Sequence, residues 1–377
     1  MSTERVAATV RESAANGASL RIAGCGTWLD AGRPVSAART LSLADDRGVV
    51  SYVPGDLTLT VRAGTPLSEI GGITGEHSQW LPLDPHGTND GTIGATLATA
   101  SAGPLASGFG PPRDLLLGVE FVNGRGEVIR AGGRVVKNVA GFDLSRLVTG
   151  SWGTLGVITE VTVRLYAMPQ ADRTFAIALG GTEREVGTVV RGIITSPLSP
   201  FAFQLISRSM ARALGLGDDP IALLRFGGSN AVVDAQVSGL TQLATPREVD
   251  NNVWISLRAL DGDAHTAVRV SSLPQRFAAA SARILGDDVP GIYTCIDPRR
   301  GVMRILVGSA ASGDGGTDTT LAPEFAANGG SSAVVFEKLP ADLWASVSPS
   351  VVADPLSQGI RKAFDPHNVL NPGILGS

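Results

Sequence analysis

Three glycines recur at intervals of three in the segment Gly-Ser-Trp-Gly-Thr-Leu-Gly, at Gly150, Gly153 and Gly156. Glycine adopts positive φ readily and leaves its backbone N–H group unshielded. Successive N–H groups in such a turn can form a concave site for an anion. A turn that only links two elements would use the same residues, and glycine-rich matches are unspecific by themselves. The spacing therefore indicates either an anion-binding turn or a connector.

A second glycine turn, Gly24-Cys25-Gly26-Thr27-Trp28, directly follows a predicted strand over residues 20–23. A strand that feeds a tight turn with several free N–H groups can hold a pyrophosphate. The turn is not a Rossmann fingerprint, because Leu29 stands where that motif requires glycine and no acidic residue follows at the expected distance.

Residues 81–114 contain a run of small side chains together with hydroxyl groups. Small side chains would let a helix or turn lie within van der Waals distance of a large flat ligand, and the hydroxyls could donate hydrogen bonds to it. Close packing of a helix on a sheet would require the same small residues, so both interpretations stay open. The small residues are Gly91, Gly94, Ala95, Ala98, Thr99 and Ala102, and the hydroxyls are those of Thr88, Thr92 and Ser101.

The elements that would position these turns follow from periodicity and caps. Residues 3–16 read as a surface helix that Gly17 ends, and residues 144–148 as a short helix capped by Asp143. We call the segment with Gly150, Gly153 and Gly156 the triple-glycine turn. Apolar and polar residues alternate over residues 157–165, which predicts a strand directly after this turn. In the second half, a capping box at Thr182 and Glu185 starts a helix, a further helix covers residues 230–243, and strands are predicted at residues 175–179, 202–206, 221–226, 268–270, 293–296, 303–307 and 333–337.

Composition limits the classes of partner. The formal net charge of −4 and the pI near 5.6 provide no basic field for nucleic acid. The sequence has no run of about 18 apolar residues and starts with a polar segment, so it predicts no direct membrane insertion and a cytoplasmic location. Cys25 and Cys295 form neither a disulfide framework nor a ligand set for an iron–sulfur cluster.

A set of short motifs spans most of residues 20–168 and returns at residues 364–373. The motifs are Gly32-Arg33-Pro34, Ala63-Gly64-Thr65-Pro66-Leu67, Arg113-Asp114-Leu115 with Leu117-Gly118, Val136-Lys137-Asn138-Val139-Ala140-Gly141-Phe142-Asp143-Leu144-Ser145-Arg146-Leu147, Gly153-Thr154-Leu155-Gly156-Val157-Ile158-Thr159-Glu160, Phe364-Asp365-Pro366 and Leu370-Asn371-Pro372-Gly373. In this order they resemble the FAD-binding PCMH-type domain of the vanillyl-alcohol oxidase superfamily. Within that superfamily the resemblance is to the FAD-binding subunit of bacterial glycolate oxidase.

The resemblance implies an α+β fold in which a two-part PCMH-type FAD-binding domain is joined to a separate α+β cap domain. We expect the FAD-binding domain at residues 1–169, the cap or partner-interaction domain at 170–330, and a C-terminal segment that returns to the flavin side at 331–377. The repeated strand and helix pattern after Pro169 agrees with a change of domain there.

The resemblance also implies the cofactor and its contacts. We expect FAD bound non-covalently, because members that attach it covalently often carry a histidine in the pyrophosphate loop and this loop has none. Ala95 stands where many relatives have a second glycine, which is a further departure from the family pattern. The implied cofactor-binding residues are Ala23, Gly24, Cys25, Gly26, Thr27, Trp28, Pro85, Thr88, Gly91, Thr92, Gly94, Ser101, Gly103, Arg113, Lys137, Asn138, Gly150, Gly153, Thr154, Gly156, Val157, Ile158 and Asn371, the last near the isoalloxazine ring.

Catalytic groups are harder to assign. Oxidation of a 2-hydroxy acid needs a base for the hydroxyl proton and a cation for the carboxylate. His86 lies in the segment expected near the cofactor and is the candidate base, although a hydrogen-bonding loop histidine is the alternative. The spacing of the histidines predicts no metal site. Arg225, Arg258, Arg269 and Arg304 are candidate cations whose alternative is a structural ion pair.

The resemblance implies an FAD-dependent oxidoreductase subunit that oxidises a small 2-hydroxy acid and passes electrons to a partner iron–sulfur subunit, beside a second flavin subunit. Any association with a membrane would then occur through those partners. Two alternatives stay open at this point. One is a self-sufficient FAD-dependent dehydrogenase of the D-lactate type, and the other is a non-catalytic, flavoprotein-like assembly subunit.

Overall fold

A computed structural model of the 377-residue protein describes residues 2–133, 143–180, 182–276, 285, 289–308, 333–347 and 354–376. The architecture is mixed helix and sheet, which confirms the predicted α+β class. Within those ranges no helix combines the length and the apolar character needed to cross a membrane. The described helices are α1 (Thr3–Asn16), α2 (Leu67–Gly75), α3 (Ile93–Thr99), α4 (Ala106–Phe109), α5 (Pro112–Leu115), α6 (Leu144–Val148), α7 (Glu183–Thr195), α8 (Arg208–Ala213), α9 (Asn230–Thr241), α10 (Asn252–Asp263) and α11 (Pro355–Phe364).

The described strands pair into four sheets. They are β1 (Leu20–Ala23), β2 (Arg39–Ser42), β3 (Val49–Val53), β4 (Thr58–Arg62), β5 (Gln79–Trp80), β6 (Leu116–Val122), β7 (Val128–Gly132), β8 (Val157–Arg164), β9 (Tyr166–Ala167), β10 (Ala171–Ala178), β11 (Ala202–Ile206), β12 (Ile221–Gly228), β13 (Arg247–Val249), β14 (Ala264–Ser271), β15 (Ile292–Asp297), β16 (Val302–Gly308) and β17 (Ala333–Lys338). Short 3₁₀ turns occur at Pro54–Asp56 and Leu343–Ser346.

The chain divides into two compact units. Unit 1 comprises residues 1–103, 109–168 and 341–377, and unit 2 comprises residues 104–108 and 169–340. The sequence placed its boundaries after residues 169 and 330. Neither unit is one continuous stretch of chain, because unit 2 includes the short segment 104–108 and unit 1 includes the C-terminal segment.

Unit 1 is built on a five-stranded antiparallel sheet with the order β3-β4-β8-β6-β7. Strand β8 lies in the middle of this sheet, paired with β4 on one side and β6 on the other. Val61, Phe121 and Val161 from the three central strands are fully buried in one hydrophobic cluster. The sheet therefore gives the segments before β8 a rigid support.

Two further features complete unit 1. The side chain of Ser2 caps the start of helix α1. The helix ends at Gly17, which has φ +63°, and this is the end that the sequence predicted. Strands β1 and β2 form a separate parallel pair whose register runs from Leu20 opposite Arg39 to Ala23 opposite Ser42. Strand β2 was not predicted from the sequence, because only Leu41 of its four residues is buried and no alternation is visible.

Unit 2 is an eight-stranded antiparallel sheet with the order β13-β10-β12-β11-β15-β16-β14-β17. Its two faces are covered by different helices, since the side chains of β12 alternate between two hydrophobic clusters. Leu224 packs in the cluster with α7 and α9, whereas Leu223 packs in the cluster with α8 and α10. The predicted capping box at Thr182 and Glu185 is present and starts α7.

Candidate functional site

The loop at residues 24–28 leaves the buried end of β1 at Ala23 and turns back at the surface. Gly26 has φ +79°, and Cys25, Gly26 and Thr27 are all exposed. A positive-φ glycine lets the main chain turn without a steric penalty and leaves neighbouring N–H groups accessible. The loop is thus a tight glycine turn directly after a strand, as the sequence predicted, and its contact with a pyrophosphate stays a prediction.

The start of α3 lies against this loop. Thr92 caps the helix by accepting a hydrogen bond from the amide of Ala95, at 3.3 Å. A Cβ atom at Gly24 would overlap the Thr92 hydroxyl, and one at Gly91 would lie 3.5 Å from the Thr27 hydroxyl. The structure therefore brings together two segments that the sequence analysis assigned separately to the cofactor.

The outward side of α3 carries only small side chains. Ala95 is exposed, and Ala98, Thr99 and Ala102 are half-buried. Ile93 and Leu97 point into the hydrophobic cluster of unit 1 and fix the helix there. This leaves a strip of small residues that a flat ligand could approach closely, which is one of the two interpretations of the small-residue run.

The triple-glycine turn meets the other end of α3. The amides of Gly150 and Trp152 donate to the carbonyls of Leu97 and Ala98, at 3.0 and 2.8 Å. Gly150, Trp152 and Gly153 have φ values of +80°, +54° and +71°, so three of four consecutive residues are in the left-handed region. Only glycine adopts that region freely. The turn is held in this form by its hydrogen bonds to the helix.

Asn371 joins the C-terminal segment to two of these elements. Its side-chain Oδ1 accepts from the amide of Ile22 in β1 at 2.8 Å, and its Nδ2 donates to the carbonyl of Trp152 at 2.8 Å. Its own amide donates to Leu20 at 2.9 Å, and the residue is only 4 % exposed. We call this arrangement the Asn371 clasp. The predicted contact between Asn371 and the isoalloxazine ring stays a prediction, and the clasp is an additional, structural role.

Asp365 fixes the turn that leads to the clasp. Its two carboxylate oxygens accept from the amides of Val369 and Leu370, at 3.1 and 2.8 Å. Burial raises the pKa of Asp365, while the two amide hydrogen bonds act in the opposite direction. A Cβ at Gly124, after β6, would overlap this carboxylate, so the turn packs directly on the central sheet.

Several predicted contact residues serve the packing of unit 1. Gly94 lies against the carbonyl of Ala63, to which its amide donates at 2.9 Å, and Gly103 lies against the carbonyl of Asp84. A Cβ at Gly156 would lie 2.5 Å from a ring carbon of Phe121. Close packing is the alternative that the small-residue run left open for Gly94, and it also accounts for Gly103 and Gly156. Their contact with a cofactor stays a prediction.

The residues on either side of Gly156 also face the interior. Val157 and Ile158 are 0 and 5 % exposed and belong to the hydrophobic cluster. Their contact with a cofactor stays a prediction. Thr154 is buried, and its hydroxyl donates to the carbonyl of Ser151 at 2.7 Å.

The segment before α3 contains the remaining candidates. His86 is half-buried, and its amide donates to the hydroxyl of Ser101 at 3.2 Å. Pro85 is buried, whereas Thr88 is exposed and donates to Asp90 at 3.2 Å. His86 is thus held beside the end of α3, which keeps it a candidate for the base.

Three predicted cofactor residues remain, namely Arg113, Lys137 and Asn138. Arg113 lies on α5 with 58 % of its side chain exposed, 3.8 Å from the carboxylate of Asp114. Lys137 and Asn138 lie outside the described residues. Their assignment to the cofactor stays a prediction.

The candidate arginines of unit 2 have carboxylate partners. Arg225 makes a two-pronged ion pair with Asp172, at 2.8 and 2.5 Å, and Arg269 donates to Glu337 at 2.7 Å. Both arrangements fit the alternative of a structural ion pair. Arg258 is 5 % exposed on α10 and stays a candidate.

Arg304 belongs to a fully buried ionic cluster. Its Nε donates to Asp261 at 2.9 Å, and its terminal nitrogens contact both Asp261 and Glu337. Lys338 donates to the carbonyl of Asp261 at 3.0 Å. Although burial acts in the opposite direction, the two carboxylates raise the pKa of Arg304, so the guanidinium stays charged. We call Arg304, Asp261, Glu337 and Lys338 the buried ionic cluster.

One residue beside the loop was missed by the sequence analysis. Arg21 lies on β1 directly before the loop, and its Nη2 donates to the carbonyl of Leu29 at 3.2 Å. The sequence does show an arginine inside the short strand before the glycine turn. Periodicity alone does not distinguish such an arginine from one that faces solvent.

These residues fit an FAD better than they fit a metal ion. An exposed positive-φ loop suits a pyrophosphate, and the strip of small residues on α3 suits an extended flat ligand. In the described ranges, no group of three or more His, Cys, Asp or Glu side chains could hold a metal ion.

A family model confirms the cofactor assignment. Residues 1–132 match the model of an FAD binding domain. This stretch includes the loop at residues 24–28, helix α3 and the segment with His86. It ends before the triple-glycine turn.

Two curated relatives match part of the chain. The chain is 43 % identical over 142 residues to the glycolate oxidase subunit GlcE of Escherichia coli, which covers 37 % of this chain and 40 % of GlcE. It is 32 % identical over 195 residues to the mitochondrial D-lactate dehydrogenase [cytochrome] of Arabidopsis thaliana, covering 50 % of this chain and 34 % of that protein. The chain thus spans between a third and two fifths of the length of these relatives.

Solved structures show the same fold over the whole chain. The crystal structure of p-cresol methylhydroxylase with substrate bound superposes with a TM-score of 0.74 over 100 % of this chain and 87 % of that one, at 18 % identity. At this identity the likeness establishes the fold alone. It confirms the PCMH-type architecture that the motifs predicted.

Proposed function

We propose that the chain is the FAD-carrying subunit of an oxidoreductase that acts on a small 2-hydroxy acid, because residues 1–132 match the model of an FAD binding domain. The observation that carries this proposal is the 43 % identity to a glycolate oxidase subunit over 142 residues. The cofactor segments that meet in unit 1 support it. The proposed enzyme is therefore glycolate-oxidase-like.

Bound FAD would supply the hydride-accepting chemistry of such an oxidation. The chain would supply binding and orientation: the loop at residues 24–28 for the pyrophosphate, and α3 with the triple-glycine turn for the flat parts of the ligand. Converting the hydroxy acid to the oxo acid also releases the hydroxyl proton, which requires a base. His86 is the proposed base because it is held beside α3 by Ser101.

The proposed acceptor of the electrons is an iron–sulfur partner subunit, beside a second flavin subunit. The relative GlcE is by name a subunit of glycolate oxidase. The present sequence has two cysteines, fewer than the four thiolates that an iron–sulfur cluster usually takes. A cluster in the electron path would thus have to come from a partner.

A second candidate is a self-sufficient dehydrogenase of the D-lactate type. It is favoured by the 32 % identity to a plant D-lactate dehydrogenase over half of this chain. In this case the isolated chain would both bind and oxidise the substrate.

The two candidates are separated by anaerobic spectroscopy of the purified full chain. Glycolate, D-lactate or D-2-hydroxyglutarate is added to the chain alone and to the chain with co-expressed partner subunits, and the flavin absorbance near 450 nm is followed. Loss of the flavin absorbance only in the presence of partner subunits supports the proposal of a subunit in a complex. Loss of the flavin absorbance in the chain alone supports the self-sufficient enzyme. A colourless chain that fails to take up added FAD would refute both and favour a non-catalytic assembly role.

A further inference from the structure

Arg21 in strand β1 makes a hydrogen bond across the loop at residues 24–28. Its neighbours Leu20 and Ile22 pack into or against the hydrophobic cluster of unit 1. Because side chains alternate along a strand, Arg21 leaves β1 on the opposite side. Its Nη2 then reaches the carbonyl of Leu29 at 3.2 Å, eight residues further along the chain. This hydrogen bond spans the loop at residues 24–28 and ties its two ends together.

The other terminal nitrogen of Arg21 lacks a counterpart. Nη1 is buried and has no hydrogen-bond partner in the described part of the chain. Burial also lowers the pKa of Arg21, yet an arginine side chain keeps its proton at neutral pH. A buried cationic donor without an anion is costly. The loop therefore lies next to a positive charge that the described residues of unit 1 leave uncompensated.

From this geometry we infer that Arg21 is a positioning residue for the pyrophosphate of a bound dinucleotide, and the inference rests on the FAD site proposed above. Its hydrogen bond to Leu29 holds the loop in the turn that exposes its N–H groups. Its charge makes the region behind the loop favourable for an anion, because electrostatic interactions are stronger away from bulk water. The anion that completes the charge balance is the ligand's pyrophosphate.

The positioning role of Arg21 predicts that its substitution weakens the binding of ligands that contain a pyrophosphate and spares a ligand without one. The full-length chain is freed of bound flavin, and its affinities for FAD, ADP and riboflavin are measured by flavin fluorescence and by titration calorimetry. FAD and ADP carry the pyrophosphate and riboflavin does not. Arg21→Met should weaken FAD and ADP by roughly ten- to a hundredfold, as expected for losing a hydrogen bond to a charged group. Riboflavin affinity should stay within about twofold, well below the effect of one lost hydrogen bond.

Two further variants sharpen the comparison. Arg39→Met removes the same charge from the neighbouring strand, where Arg39 is half exposed and pairs with Glu12 at 3.3 Å, and it should leave all three affinities unchanged. Arg21→Lys keeps the charge and should bind ADP more tightly than Arg21→Met. If Arg21→Met does not fold, Arg21→Gln takes its place in the comparison with Arg21→Lys.

The outcomes separate this inference from the proposed function. Equal FAD affinity of wild type and Arg21→Met, or an equal loss of riboflavin affinity, overturns the positioning role while leaving the FAD site intact. Failure of the wild-type chain to bind FAD refutes the proposed function itself.

Discussion

The indole rings of Trp28 and Trp152 stack with their centroids 5.8 Å apart and their planes 24° apart. Trp28 ends the loop after β1, and Trp152 lies inside the triple-glycine turn. The carbonyl of Trp152 also accepts the hydrogen bond from Asn371. One residue of the turn therefore contacts both the loop and the clasp, so a disturbance at this turn should reach the whole cofactor site.

Gly153→Val tests the turn directly. Gly153 has φ +71°, and a Cβ there would lie 2.8 Å from Nδ2 of Asn371. A β-branched residue in the left-handed region costs about 1–2 kcal/mol before any clash, so we expect loss of most bound FAD, measured by absorbance. The control is Gly71→Val on the exposed face of α2, where nothing lies within 4 Å. Full FAD occupancy in Gly153→Val would mean that the turn is only a connector.

Asn371→Ala tests the clasp. The change leaves the amide of Ile22 and the carbonyl of Trp152 without their partner, and buried unsatisfied groups cost about 1–3 kcal/mol each. We expect a lower free energy of unfolding, measured in urea, together with weaker FAD binding. Asn368→Ala is the matched control, because Asn368 also has positive φ but is exposed. Equal losses in both variants would assign the effect to backbone strain instead of the clasp.

The two cysteines should differ in reactivity. Cys25 is exposed in the loop, whereas Cys295 is buried and burial raises its pKa to about 12. Since the thiolate is the reactive form, a thiol reagent should label one cysteine in the native chain and two in denaturant. Bound FAD should slow the labelling of Cys25, and Cys25→Ala is the control. Labelling of Cys25 at the same rate with and without FAD would place the ligand away from this loop.

Stability in acid should depend on Glu120. Burial acts to raise the pKa of Glu120, but hydrogen bonds from Thr3, Thr159 and Arg130 outweigh it and lower the pKa. A carboxyl whose pKa is lowered in the folded state stabilises the fold above its ordinary pKa and loses this contribution as the pH falls through its folded pKa. Glu120→Gln should therefore show a shallower loss of stability below about pH 5 than wild type, measured by urea unfolding. An unchanged slope would contradict this assignment.

Asp261→Asn should destabilise unit 2. The variant keeps the shape of the side chain but leaves Arg304 with one carboxylate in the buried ionic cluster. Breaking a buried ion pair costs about 3–5 kcal/mol. Asp218→Asn is the matched control, because the Arg212 and Asp218 pair is exposed and should contribute about 1 kcal/mol or less. Similar urea midpoints for the two variants would argue against a stabilising role for the cluster.

Local signals predicted much of the fold. The end of α1 at Gly17 and the capping box at Thr182 depend on residues close together in sequence, so capping residues together with periodicity were enough to identify them. The parallel partner β2 and the helix α10 were not predicted. Strand β2 is short and mostly exposed, and α10 mixes buried charged residues with apolar ones, which hides its periodicity.

Less of the candidate site than of the fold could be predicted from the sequence. Motifs indicated which segments contribute, but they could not separate Gly153, which needs positive φ, from Gly156, which packs against Phe121. The Asn371 clasp joins residues 349 positions apart, and the Arg304 contact with Asp261 joins residues 43 apart. Such pairings are set by the tertiary fold, so no local pattern in the chain could reveal them.

The clasp has a consequence for how the chain acquires its cofactor in the cell. Ile22 is synthesised 349 residues before Asn371, which at roughly 5–20 residues per second is about 20–70 s. During that time β1 and its loop lack the side chain that secures them. Flavin loading should thus follow translation of residue 371, and nascent chains released before that point should remain colourless substrates for proteolysis.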